Sequence, residues 1–139
     1  MSDRAALPAR PEALQTLHEM LDRFWGAIET GRGERVPERV RHGLGTAVSE
    51  VATNIIRYAQ AETFDFALTL DEWGKVEALF QDGGAPFRGV PDGDFDPDML
   101  AEGGMGLALA KRSLDVLDYS RSAEGVNSWR LVIALSVPS

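Results

Sequence analysis

The 139-residue sequence contains no cysteine and only two histidines, His18 and His42. A chain without cysteine has no disulfide, no thiolate nucleophile and no thiolate metal site. So few histidines also argue against a zinc site or a histidine-led catalytic triad. No apolar run approaches the roughly 20 residues of a membrane span, and the N-terminus lacks the apolar segment of a signal peptide. These absences predict a cytoplasmic protein without a membrane anchor.

Positive charge is also scarce, because 14 lysines and arginines face 22 aspartates and glutamates, a formal net charge of −8. Binding to a phosphate backbone needs clustered cations, so we expect that the protein does not bind nucleic acid directly. The 44% share of hydrophobic residues is typical of a folded chain, and the length fits one domain. We expect a loose tail over residues 1–11 and a single domain over residues 12–139.

Hydrophobic periodicity predicts both helices and strands. Apolar residues three and four positions apart favour helices, and strict alternation favours strands. The predicted order is a helix ending at Gly31–Gly33, a helix from Pro37 to Tyr58, strands over 63–70 and 75–81, a loop over 82–104, a helix over 107–117, and strands over 119–123 and 128–137. This order predicts an α+β two-layer sandwich, with a mixed, mostly antiparallel sheet and helices on one face.

The second helix carries the first candidate site. Glu50, Asn54 and Arg57 recur at intervals of four and three residues, so they share the helix face opposite its apolar stripe. A carboxylate and a carboxamide one turn apart can orient a hydroxyl and ligate a hard cation such as Mg²⁺ through oxygen. A solvated helix face explains the same pattern.

Two glycine-rich segments supply the other candidates. Asp82-Gly83-Gly84 follows an apolar strand, where an aspartate can accept a hydrogen bond from a ligand amino group; an Asp-Gly turn is the alternative. Gly103-Gly104-Met105-Gly106-Leu107 opens a helix, where backbone N–H groups suit a phosphate; a flexible loop is the alternative. The second segment lacks the Gly-Lys-Ser/Thr ending of a Walker A loop.

In this order, the three segments resemble the N, G1 and G2 boxes of the GHKL (histidine-kinase-like) ATPase superfamily. The small size, the Ser-Glu-x-x-x-Asn form and the Gly-Gly-x-Gly-Leu form are most similar to its anti-sigma-factor serine/threonine kinase branch. The resemblance covers roughly residues 10–137. One departure is Pro86, which stands at the second glycine position of the Asp-x-Gly-x-Gly pattern and is familiar in the anti-sigma branch.

The resemblance implies ATP and Mg²⁺ as cofactors and a role for each motif residue. Glu50 would be the general base, and Asn54 would bind Mg²⁺. Asp82 would accept a hydrogen bond from the adenine amino group, with Gly84 leaving room for the base. The remaining implied nucleotide contacts are Gly104, Met105, Gly106 and Leu107 around the phosphates, Arg57 facing either phosphates or solvent, and Asn127 or Ser128 near the adenine. The 85–103 loop would be the ATP lid.

The implied activity is phosphorylation of a STAS-type anti-sigma-factor antagonist on serine or threonine within a bacterial partner-switching system. The other implied partners are a sigma factor or equivalent regulator and a second copy of the chain, as a homodimer. Two alternatives remain open. One is a nucleotide-binding adaptor with little turnover, which would not need Glu50. The other is the isolated ATP-binding domain of a histidine kinase.

Overall fold

The computed structural model describes residues 1–87 and 105–136, with the backbone alone at Met105. Its elements are β1 (Ser2–Pro8), α1 (Glu12–Arg32), α2 (Glu38–Tyr58), β2 (Thr63–Leu70), β3 (Lys75–Asp82), α3 (Met105–Ser113), β4 (Val116–Arg121) and β5 (Asn127–Ala134). In these ranges, no helix combines the length and the apolar character that a bilayer crossing requires.

The five strands form one sheet in the order β1-β2-β3-β5-β4, and each neighbouring pair is antiparallel. Helices α1 and α2 pack on one face, with α1 against β1 and α2 against β3 and β5. That face is apolar because side chains alternate along each strand. Its buried residues are Leu7, Phe64, Phe66, Leu68, Val76, Ala78, Phe80, Leu117, Tyr119, Trp129, Leu131 and Ile133. The predicted α+β sandwich is confirmed.

The connection between the two long helices is held by local hydrogen bonds. Gly33 ends α1 in the left-handed region, with φ of 73°, and its N–H donates to the Glu29 carbonyl. The Glu29 carboxylate accepts from Arg41, at 2.7 Å, and from the Val36 N–H, at 2.8 Å. These two donors hold the pKa of Glu29 below its ordinary value. The carboxylate therefore ties the end of α1 to the start of α2.

The first residues of the chain correct one prediction. Instead of a loose tail, Ser2–Pro8 forms the edge strand β1, paired with β2 over its whole length. Its anchor is Leu7, which is 6% exposed and part of the core. The other side chains of β1 are small or polar, and of these Ala5 also packs against the core, so the strand depends on its backbone ladder and mainly on Leu7 for apolar contact.

Leu7→Ala tests whether β1 contributes to stability. Truncation removes the buried side chain that attaches the edge strand to the core, so we expect a loss of about 2 kcal/mol in the free energy of unfolding. Urea denaturation measures it, with Arg4→Ala on the exposed face of the same strand as the control. Equal stability of the two variants would show that the segment contributes as little as a tail.

The boundary after the third helix is also corrected. The prediction extends that helix to residue 117 and begins the next strand at 119. In the structure α3 ends at Ser113, and Val116 and Leu117 already belong to β4. Both residues pair with β5, opposite Val132 and Leu131. A short apolar run fits a helix or a strand equally well, and here the pairing with β5 decides it.

Candidate active site

Helices α2 and α3 bring two of the motifs into contact. Glu50, on α2, has its carboxylate packed directly against Gly106 in the first turn of α3. A Cβ added at Gly106 would overlap that carboxylate. The helices also approach closely at Gly43, where an added Cβ would lie 3.3 Å from the Ser113 side chain. Absence of a side chain at Gly106 is therefore what allows the carboxylate of Glu50 to reach the start of α3.

Asn54 lies one turn beyond Glu50 and is 9% exposed. Its amide nitrogen donates to the backbone carbonyl of Glu50 at 2.8 Å. Because the nitrogen is engaged with the helix, the amide oxygen is the atom left to meet a ligand. An oxygen donor beside a phosphate site fits Mg²⁺. Among residues 1–87 and 105–136 no cluster of three acidic or histidine side chains forms a metal site, so the phosphates would have to supply other ligands.

Asp82 ends β3 and is 5% exposed. Its Oδ1 accepts from the Gly84 N–H at 2.8 Å and from the Asn127 side chain at 2.9 Å. No hydrogen bond reaches Oδ2 from any residue that the structure describes. One carboxylate oxygen is thus fixed by the protein, and the other can accept from a ligand amino group.

Asn127 is a support for Asp82 and has no spare hydrogen-bonding capacity. Its nitrogen donates to Asp82 and to the Ala85 carbonyl. Its oxygen accepts from the Tyr119 hydroxyl at 2.6 Å and from the Arg121 guanidinium at 2.8 Å. The residue is 2% exposed. We interpret Asn127 as positioning the carboxylate of Asp82, whereas the sequence interpretation has Asn127 contacting adenine itself.

Two residues of this network were missed by the sequence analysis. Tyr119 accepts a hydrogen bond from the Phe87 N–H, and Arg121 also donates to the Gly84 carbonyl, both at 2.9 Å. They therefore hold the turn that follows Asp82. The alternation of β4 indicates that Tyr119 points inward with Leu117, but no sequence signal indicates its hydroxyl contacts.

Two predicted contacts lie away from this site. Ser128 pairs with Gln81 across the β3–β5 ladder and accepts a hydrogen bond from its side chain at 3.1 Å. It therefore lies on the opposite sheet face from Asp82, a position that does not favour its predicted contact with the nucleotide. Arg57 is exposed and does not line the cavity beside Asp82.

A cavity lies between Asp82 and the C-terminal half of α2. Its lining residues are Asn54, Ile55, Tyr58, Ala59, Asp82, Ala85, Phe87, Tyr119, Asn127 and Trp129. Only about 10 Å³ is free, which is about enough for one water molecule. Phe87 packs on Trp129 with ring centroids 4.9 Å apart. A purine would therefore enter only if lining side chains such as Phe87 moved.

Part of the predicted phosphate site is outside the described residues. Gly104, and residues 88–103 of the predicted ATP lid, lie outside the described residues. Met105 and Gly106 begin α3, and Leu107 is fully buried in the core. Helix α3 therefore presents its N-terminal end beside Glu50, with the partial positive charge that favours an anion.

Comparisons with known proteins show the family and the fold of the chain. Residues 7–132 match the family described as histidine kinase-like ATPase domain. The chain belongs to this family. The domain also shares its fold with the crystal structure of the RsbU and RsbW domains of Rv1364c from Mycobacterium tuberculosis, with a TM-score of 0.70 and 19% identity. That match covers 100% of this chain and 34% of the solved chain. No curated protein sequence matches it significantly.

Gly84 gives a direct test of the geometry around Asp82 in the ATPase domain. A Cβ at this position would overlap the carbonyl of Ala59, which accepts a hydrogen bond from the Ala85 N–H at 2.6 Å. Gly84→Ala must displace that backbone, so we expect a loss of about 1–3 kcal/mol of stability and weaker ATP binding. Thermal unfolding and calorimetric titration measure the two effects. Gly83→Ala is the control, because no atom lies within 4 Å of a Cβ added at Gly83. Equal effects of the two substitutions on stability and ATP affinity would contradict the close approach of Gly84 to Ala59.

Proposed function

We propose that this ATPase domain is a serine/threonine protein kinase of a bacterial partner-switching system. Its substrate would be a STAS-type anti-sigma-factor antagonist, and its other client a sigma factor or equivalent regulator. The observation that carries the proposal is the contact of Glu50 with Gly106 at the start of α3. It supports a general base beside the phosphate site, which a nucleotide-binding adaptor would not need.

In the proposed reaction, each residue has one task. Asp82 accepts a hydrogen bond from the adenine amino group through Oδ2, and the start of α3 faces the phosphates. The Asn54 oxygen would hold Mg²⁺, which would neutralise phosphate charge. Glu50 takes the proton of the serine or threonine hydroxyl while that oxygen bonds to the γ-phosphorus. The bond from this phosphorus to the β–γ bridging oxygen breaks, and ADP is the second product.

The charge of the domain supports a role in partner exchange. Phosphorylation adds about two negative charges to the substrate. The product must leave a chain with a formal net charge of −8, so like-charge repulsion favours its release. The unphosphorylated antagonist and the regulator would then alternate as partners of the same domain.

Phosphoryl transfer is the test of this proposal. The domain is incubated with labelled Mg-ATP and, one at a time, with the purified STAS-domain proteins of its source genome. We expect acid-stable label on serine or threonine of one of them. ATP binding without any transfer would favour the adaptor, and acid-labile label on histidine would favour the histidine-kinase alternative. Either result would overturn the proposed kinase activity.

A further inference from the structure

A second surface reaches Glu50 from the side away from the cavity beside Asp82. It is an open groove of about 360 Å³, which is separate from the cavity beside Asp82. We call it the α2 groove. It is lined by His18 from α1 and by Arg41, His42, Gly45, Thr46, Ser49 and Glu50 from α2. Apart from Gly45, its lining residues have polar or charged side chains, and Glu50 lies at its end nearest the candidate active site.

The floor of the α2 groove contains a glycine that internal packing does not require. Gly45 lies in the interior of α2, where glycine is less favourable than alanine. A Cβ added there would meet no atom within 4 Å. By contrast, Gly43 in the same helix is packed closely against Ser113. Open space above a helical glycine allows the backbone of another molecule to approach closely.

The walls of the α2 groove are fixed by side-chain contacts. Ser49, next to Glu50 in sequence, has its hydroxyl 2.9 Å from His18 Nε2, so α1 and α2 are joined at that end. At the other end Arg41 is held by the Glu29 carboxylate. Because these contacts already hold His18, Ser49 and Arg41, a bound segment would not have to order those three side chains, which lowers the entropic cost of binding.

The order of residues along α2 separates the two approaches to Glu50. Gly45 precedes Glu50, whereas Asn54 and the cavity beside Asp82 follow it. Phosphoryl transfer requires the attacking and leaving oxygens to lie roughly in line, on opposite sides of the phosphorus. A nucleotide held from the Asp82 side therefore leaves the Gly45 side for the attacking hydroxyl.

We propose that the α2 groove binds the acceptor segment of the protein substrate, with its main chain crossing α2 at Gly45 and its hydroxyl directed at Glu50. This inference rests on the proposed kinase function. The hydroxyl must come within hydrogen-bonding distance of the carboxylate, and among the residues that the structure describes the α2 groove is a surface continuous with it. The polar lining suits an extended peptide backbone, which keeps donors and acceptors to satisfy.

Gly45→Gln is the variant that tests the α2 groove, and Gly26→Gln in α1 is its matched control. Both glycines lie inside helices with no atom within 4 Å of an added Cβ, and glutamine is a good helix former. We expect both variants to unfold about 3 °C higher than the wild type. Only the residue at position 45 would fill the groove.

The measurement is steady-state transfer from Mg-ATP to the STAS-domain protein that the wild type phosphorylates best. For Gly45→Gln we expect KM for that protein to rise at least about tenfold, with kcat and ATP affinity unchanged, because added bulk opposes docking alone. Gly26→Gln should match the wild type. A KM within twofold of wild type for Gly45→Gln would overturn the groove assignment while leaving the kinase proposal intact. If the wild type phosphorylates no STAS-domain protein, the kinase proposal fails first.

Discussion

Asp82→Asn is expected to weaken Mg-ATP binding by about 100-fold, the effect of leaving a buried polar contact mismatched. The asparagine oxygen can replace Oδ1 and keep the bonds from Gly84 and Asn127. Its amide nitrogen then takes the place of Oδ2 and meets the adenine amino group, which is also a donor. Guanine has an acceptor at that position, so the preference for ATP over GTP should narrow. Calorimetric titration with each nucleotide measures both effects.

The control for this variant is Asp65→Asn, which removes one negative charge from an exposed position on β2. Its nucleotide affinities should stay within about twofold of wild type, since the charge lies outside the cavity. Unchanged ATP affinity in Asp82→Asn would show that Oδ2 does not receive the adenine amino group. Melting temperatures close to wild type would confirm that the loss of affinity is not a loss of folding.

Glu50→Gln is expected to lower phosphoryl transfer by about 10²–10⁴-fold, the usual contribution of a general base. The carboxamide keeps the size of the side chain and its fit against Gly106, but it cannot accept the hydroxyl proton. Nucleotide affinity should stay equal or rise, because the substitution removes a negative charge beside the phosphate site. Single-turnover transfer and equilibrium binding separate the two effects.

Glu62→Gln is the matched control, because Glu62 is exposed on the segment between α2 and β2. It should transfer phosphate at the wild-type rate. If Glu50→Gln retained phosphoryl transfer within tenfold of the wild-type rate, another group would have to remove the hydroxyl proton. The contact between Glu50 and Gly106 would then no longer indicate a general base.

Most of the fold could be predicted because its elements have strong hydrophobic periodicity. The two long helices and the β2–β3 hairpin appear where apolar spacing indicates them, and Gly33 and Pro37 mark the boundaries between them. Strand β1 could not be predicted in this way. Its sequence lacks the β-branched and aromatic residues of typical strands, and its ladder with β2 supplies the missing stabilisation.

The candidate site likewise has a part that the sequence predicts and a part that it does not. Glu50 and Gly106 come together because the helices that carry them pack against each other. The support around Asp82 depends on side chains from β4 and β5, whose convergence is a property of strand order and register. Ser128 is instructive, since strict alternation with the inward-facing Trp129 already predicts the outer face.

The contact between Gly84 and Ala59 makes helix α2 set the distance between the turn after Asp82 and Glu50. Ala59 caps the end of α2 and receives the N–H of Ala85, so the turn after Asp82 is attached to the same helix that carries Glu50. At 1.5 Å per residue, the axial separation of Ala59 and Glu50 is about 14 Å. Under the proposed function, a base held beside Asp82 and a carboxylate packed against Gly106 would select ligands by length. Diphosphate and triphosphate chains would then differ in whether they reach the carboxylate of Glu50.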